Sequence, residues 1–322
     1  MPDDVFRAHT HEDLLNALPT FFGFVPRECV IGLAVSGANC RFGFSLRHDL
    51  PEAGSEDELA ADLAGHLLRN GDEGFFLFAL SDDVERARTM ALALRDALPP
   101  RRDWLTIWAD GERYWADLPG HPQDGLRYTL DDHHEAIVHA VAQGQVIARD
   151  RSDLAADVAP ARGQRQRWLE AAHEEVLQRF MARALTTDPD TFLLREQETV
   201  ARLTERFLAE ERLTDGDLVE LAVRVSGRQV RDSAWLRITR QNAMPMYALW
   251  AAVSRVAAAD FAPASLCLAG FAAWQMGDGV RARFALERAL ALEPHYRMGV
   301  LLHGALEAGL HPDRWSAADA SA

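Results

Sequence analysis

The sequence predicts an α/β domain built on a mixed sheet of about five strands, then an all-α domain ending in tetratricopeptide-like hairpins. Three observations carry this expectation. Short apolar runs alternate with helical stripes between residues 29 and 118. Strand signals stop near residue 130. Small residues recur close to the C-terminus at the spacing of a helical repeat.

Thr10-His11-Glu12-Asp13 supplies a cap and early acids for a first helix, with Leu14, Leu15 and Leu18 as its apolar face. Pro19 and Gly23 punctuate it. Cys29 to Val35 is a compact apolar run, Ser36 to Asn39 turns the chain, and Phe42, Phe44 and Leu46 alternate with smaller or polar residues. That pattern is a hairpin with a four-residue loop. Ser55 to Glu58 reads as a capping box before Leu59, Leu63 and Leu67, and Asn70-Gly71 closes that helix. Phe75 to Leu80 is a central strand, residues 81–98 a helix, and Trp104 to Ala109 the next strand, together a β-α-β unit.

Asp110-Gly111 then reads as a two-residue hairpin turn, which sets Trp108 opposite Arg113 and Trp104 opposite Asp117. In that register Trp104, Trp108, Trp115 and Arg113 share one face. Residues 132–143 are expected to be helical, and residues 155–163 to be a linker between domains 1–154 and 164–322. Seven helices are expected after it, at about 164–185, 190–211, 214–226, 245–258, 263–276, 279–292 and 295–308, with Pro189, Pro245, Pro263 and Pro294 at boundaries.

Composition excludes several chemistries. All 34 basic residues are Arg and there is no Lys. Phosphate-loop lysines, Schiff bases and Ser–Lys dyads are therefore closed, although codon bias accounts for the missing Lys. Residues 1–148 hold 25 acids against 12 Arg, and the middle third interleaves its Arg with acids, so no nucleic-acid partner is expected. Cys29, Cys40 and Cys267 have no metal-type spacing; buried thiols are the favoured reading, with a Cys29–Cys40 bridge geometrically open. The N-terminus has no apolar signal region and no run approaches a membrane span, which makes the cytoplasm the default expectation and membrane contact unexpected.

Five constellations invite a functional reading, each beside a structural one. Gly270, Gly277-Asp278, Ala282, Ala289-Leu290, Leu292 and Pro294 fit one repeat, with Gly304 thirty-four residues after Gly270. They make either a capping hairpin or a surface that grips a peptide. The face of Trp104, Trp108, Arg113 and Trp115 either stacks a ligand or lies beneath a helix. Asp132, Glu135 and His139 fall within about 60° of one another on a helix, as a metal site needs or as an ordinary solvated helix start allows. Ile137, Val138 and Val141 would then face the core. Asp82 and Asp83 follow a central strand at the edge where open α/β sheets bind ligands, and they also suit the first turn of the next helix. Arg231 and Asp232 form an anion clamp or an interhelical ion pair. No GxSxG, HExxH, GxGxxG or phosphate-loop motif is present.

Several segments, taken in order, carry a resemblance. They are Leu14 to Pro19 with Phe22-Gly23-Phe24 and Pro26, the strand Cys29 to Leu33, Asp49-Leu50-Pro51, and Asp110 to Trp115. Val230-Arg231-Asp232 and Ala272 to Gly279 through Arg288-Ala289-Leu290 complete the set. Together they resemble the actinobacterial family of domain of unknown function 4192 over nearly the whole chain. The resemblance implies no activity. It implies a cysteine-rich stretch after Trp115 in many members; here that stretch, Ala116 to Pro122, has no Cys, so chemistry resting on those cysteines is excluded. No cofactor is expected. The leading expectation is a non-catalytic interaction or regulatory module with a protein or peptide partner. The alternative is a small-molecule binder or enzyme at the carboxyl edge of the sheet.

Overall fold

A computed structural model describes residues 8–36, 41–71, 73–100 and 103–312. The chain divides into two compact units, Met1–Asp150 and Arg151–Ala322.

The first unit opens with α1 (His11–Phe22), whose Thr10 and Asp13 form a reciprocal capping box. Gly23 ends it at φ 73°, a left-handed cap that glycine adopts without strain. Strands β1 (Cys29–Ser36) and β2 (Arg41–Asp49) pair antiparallel, as the alternation requires. The expected loop at 37–39 and Cys40 lie outside the described residues; Cys29 is a free, buried thiol. Helix α2 (Glu56–Asn70) begins at Ser55, but the Ser55 side chain makes no capping bond, so the expected capping box is absent. Strand β3 (Gly74–Leu80), α3 (Val84–Asp96) and β4 (Asp103–Ala109) form the β-α-β unit, with β3 and β4 parallel. Strand β5 (Arg113–Ala116) follows, and a sixth strand not foreseen, β6 (Leu126–Arg127), lies at the edge. The sheet order is β2-β1-β3-β4-β5-β6.

One face of the sheet carries Val30, Ala34, Phe75, Leu77, Ala79 and Trp108, packed under Leu63, Leu67, Met90 and Leu94 of α2 and α3. Ile31, Leu33, Phe78 and Ile107 fill the other, where ring contacts Phe21–Phe42 and His11–Tyr114 bring in α1. Helix α4 (Glu135–Ala142) starts three residues later than expected and buries Ala136 and Ala140. Val138 and Val141 are more than half exposed and Ile137 is half-buried, so the helix is turned from the expected facing and only Glu135 keeps its expected outward place. Its short buried stripe suits the close approach of α4 to α1.

The segment expected to be a linker belongs to the second unit. Helix α5 (Arg151–Leu154) and a 3-10 turn at Ala155–Val158 are strapped to the helices beyond. Leu154 and Val158 are buried. Asp157 accepts from Tyr247 Oη at 3.1 Å and from Arg281 Nε at 3.0 Å, and Arg288 donates to the Val158 carbonyl. The alanines of this stretch read as loop, yet its Leu and Val side chains have a core to enter.

The helices are α6 (Gly163–Thr186), α7 (Pro189–Leu208), α8 (Asp215–Val225), α9 (Arg228–Trp235), α10 (Ala243–Val256), α11 (Ala262–Gln275), α12 (Gly279–Leu292) and α13 (Arg297–Glu307). Seven match the expected spans; α9 is additional. Asp188 and Thr214 cap α7 and α8. Gly270 sits where α11 meets α12, and a Cβ there would stand 2.8 Å from Leu286 Cγ. Asp278 caps α12. Around Gly304 the space is open, so its small size is not demanded by packing.

His173 of α6 illustrates how burial sets a protonation state. Its Nδ1 lies 2.8 Å from the Leu169 carbonyl, and Nε2 accepts the Ala258 N–H at 3.2 Å. Both partners are satisfied only by the neutral ring carrying its proton on Nδ1. Burial lowers its pKa from 6.5, outweighing the Leu169 bond. Below about 6.5 the unfolded chain takes up a proton that the native ring resists, so stability falls as pH drops through that window. A His173→Gln variant is expected to show a flatter denaturant midpoint between about pH 7.5 and 5 than the parent chain. Equal slopes would remove this assignment.

Candidate functional site

The parallel pair sets the site. Strands β3 and β4 end side by side at Leu80 and Ala109, tied by the Ser81 N–H to the Ala109 carbonyl at 3.0 Å. Open α/β sheets leave a crevice beyond such ends. Here a cleft of about 250 Å³ lies there, walled by Leu15, Leu18 and Pro19 of α1, Leu80, Leu130 and Tyr128. Pro26-Arg27-Glu28 crosses one side and Asp110-Gly111-Glu112 the other.

Glu28 is held in an uncommon conformation at φ 45°. Its carboxylate accepts from Asp82 N at 2.9 Å, Ser81 Oγ at 3.1 Å and Arg86 Nη1 at 3.2 Å. Arg86 also donates to the carbonyls of Leu50 and Pro51. These bonds over-determine the Glu28 backbone and lock the strand-to-helix turn that carries Asp82. Asp83 caps α3, its Oδ1 accepting from Glu85 N at 3.1 Å and Arg86 N at 3.2 Å. The adjacent acids thus divide: Asp83 is consumed by the helix, while Asp82 reaches the cleft.

Opposite, Asp110 Oδ1 accepts from Glu112 N at 2.9 Å and Arg113 N at 2.7 Å. These bonds centre the turn on Gly111-Glu112, with Gly111 at φ 93°. Trp108 therefore pairs with Trp115, two residues out of the expected register with Arg113. An even displacement keeps side-chain parity. The face is broken by something else. Phe75 pairs with Asp103 and Phe76 with Leu105, so the register slips at Trp104. The Trp104 indole stands edge-on to Phe76 at 5.9 Å on the other side of the sheet from Trp108.

Trp108 is buried against the α2–α3 layer. Trp115 donates from Nε1 to the Gln123 carbonyl at 2.9 Å, and Arg113 Nη1 donates to the Asp124 carbonyl at 2.8 Å, so both brace the 121–125 loop. Gly125, at φ 67°, admits the Trp115 ring where a Cβ would stand 2.6 Å from it. None of the three tryptophans lines the cleft.

The remaining residues singled out in the sequence fall elsewhere. Arg231 donates to Asp232 at 2.6 Å and to Tyr296 Oη at 2.9 Å, joining α9 to the start of α13. That is the interhelical contact. His139 Nε2 lies 2.7 Å from Gln143 Nε2. Among the described residues no three His, Cys, Asp or Glu side chains are grouped to hold a metal, and Asp132, Glu135 and His139 make no such group. Every residue of α11 is buried.

A family model described as Domain of unknown function (DUF4192) matches residues 12–313. The chain belongs to this family. No match was found among curated proteins or among solved structures. Two segments that carried the resemblance, Leu14 to Pro26 and the Asp110-Gly111 turn, form opposite walls of the cleft in this DUF4192 chain. No helix among the described residues is long and apolar enough to cross a membrane.

Sequence reasoning missed Arg27, Glu28, Glu112 and Tyr128 as site residues and read Asp110 only as a turn residue. Tyr128 is 8% exposed, and burial, reinforced by the Asp110 carboxylate, pushes its phenol up to about 12 against the pull of the Gly111 N–H and the Arg27 cation. It is a neutral O–H at ordinary pH.

Proposed function

We propose that the N-terminal unit binds a small organic molecule in the cleft at the carboxyl ends of β3 and β4. The observation that carries this reading is the enclosure of apolar walls from α1 and β3 by polar groups on two fixed turns. The partner-binding reading has less support. A repeat grips a peptide with an open helical face, and α11 is covered along its whole length by the protein itself.

Leu130 is 39% exposed at the cleft wall, so Leu130→Trp narrows the cleft without disturbing the core. In a thermal-shift screen of common metabolites against the full chain, a ligand present at about 100 times its Kd is expected to stabilise by about 2.7 kcal/mol. Leu130→Trp is expected to melt like the parent without ligand and to lose the shift. A library that stabilises neither protein would refute the proposal.

A further inference from the structure

We propose that the occupant of the cleft is a zwitterion of amino-acid size, its ammonium held by Asp82, Asp110 and Glu112 and its carboxylate by Arg27 and the Tyr128 hydroxyl. This rests on the binding reading above and adds the chemistry of the ligand.

The lining charges fall into two sets. Glu28 is already neutralised by Arg86 and saturated by the β3–α3 turn. The other charged groups that line the cleft are not. Among the described residues the Arg27 guanidinium has no ion pair or hydrogen bond, and neither do the carboxylates of Asp82 and Glu112. Asp110 spends one oxygen on its own turn and keeps the other. Arg27 and these acids share one cleft without pairing to each other, which leaves both signs available to a guest.

Tyr128 adds a donor to the same lining. More than nine-tenths of the residue is buried, and its hydroxyl proton has no acceptor among the described residues. The same hydroxyl feels Asp110 and Arg27 together, so both signs act at the polar end of its ring. A hydroxyl proton with no acceptor in the protein is free to donate to a carboxylate oxygen, the acceptor that Arg27 also favours. A simple amine would leave Arg27 and Tyr128 unused; a simple acid would meet three carboxylates.

Size and walls limit the rest. The cleft of about 250 Å³ is smaller than most drug-sized sites, which suits a guest of few heavy atoms. Leu15, Leu18 and Leu130 offer aliphatic contact to its side chain.

The test uses the full chain and calorimetric titration with the twenty common amino acids. For an aliphatic side chain the key series is L-leucine, 3-methylbutylamine (leucine without its carboxylate) and 4-methylpentanoate (leucine without its amine). The zwitterion is expected to bind at least about ten-fold tighter than either counterpart. Arg27→Gln is expected to weaken amino-acid binding by roughly ten- to hundred-fold while leaving the amine unchanged. Asp82→Asn and Asp110→Asn are expected to weaken amino-acid binding and to bind the acid at least as tightly as the parent. Arg27 and Asp82 are exposed, and Asn keeps the turn acceptor at 110, so thermal midpoints without ligand should match the parent. An amine that binds as tightly as the amino acid, with Arg27→Gln silent, would make this a cation site and overturn the inference. An acid that binds as tightly, with the Asp variants silent, would make it an anion site and overturn it equally. If no amino acid binds while another metabolite does so in a Leu130→Trp-sensitive way, the zwitterion is wrong and the cleft reading stands. If no metabolite of any kind binds, the cleft reading itself fails.

Discussion

Trp250→Ala is expected to destabilise the helical unit by about 3–5 kcal/mol, enough to leave it largely unfolded if its total stability is near the lower end of the usual range. Trp250 of α10 is fully buried in the core formed by α8, α10, α11 and α12. Removing the indole opens a cavity that rigid helices on several sides cannot close. The indole Nε1 is buried with no hydrogen-bond partner among the described residues, so the side chain serves through volume alone. Trp250→Phe, which keeps most of the ring and removes the unpartnered donor, should therefore cost far less than alanine. Denaturant melts followed by circular dichroism distinguish the two; equal losses would mean that shape matters less than argued.

Arg224→Met should cost a comparable amount, about 3–5 kcal/mol, for a different reason. Arg224 Nε lies 2.7 Å from Glu196 Oε2, and both side chains are almost wholly buried. Arg224 also pairs with Glu220, and Arg183 reaches Glu196 at 3.5 Å from a more exposed position. Removing the guanidinium leaves the Glu196 carboxylate in the core with only the more exposed Arg183 as a charged partner among the described residues. Pairing the change with Glu196→Leu removes the stranded charge, and most of the lost stability should return. A double variant no more stable than the single one would show that packing by the Arg stem, not its charge, is what matters there.

Local patterns in the sequence disclosed most of the secondary structure and little of the site, and the reason is physical. Helix ends at Pro189, Pro263 and Pro294 and the apolar runs of β1 and β3 depend on neighbours a few residues away, which a sequence displays. The slip at Trp104 depends on how β4 meets β3, and it moved one tryptophan to the opposite side of the sheet. The turn at residues 110–113 was recognised, but its centre was set by which amides the Asp110 carboxylate reached. Segment 155–163 looked like a linker because Ala and Gly dominate it, and only the Tyr247–Asp157–Arg281 contacts reveal the strap. The cleft draws on segments more than a hundred residues apart, from Leu15 to Tyr128. Of its polar residues only Asp82 was singled out, through the general rule about strand ends. Glu28 had no visible signal, since a left-handed glutamate is chosen by its surroundings.

The strand order β2-β1-β3-β4-β5-β6 has a bearing on how the first unit assembles. Among the described strands every pairing except β1 with β3 joins strands consecutive in the chain, and the parallel strand pair is spanned by α3. Most contacts can therefore form with small loops to close, which favours rapid folding as the chain leaves the ribosome. The late contacts include the packing of α4 on α1 and the bridge between Phe24 and Ala148, where Ala148 donates to the Gly23 carbonyl at 2.8 Å. The bridge draws the tail of the unit back to the exit of α1, the helix whose residues wall the cleft. The cleft takes lining from both Leu15 and Leu130, so it is complete only when synthesis has passed residue 130, and a nascent chain interrupted earlier would hold most of the sheet without a finished pocket.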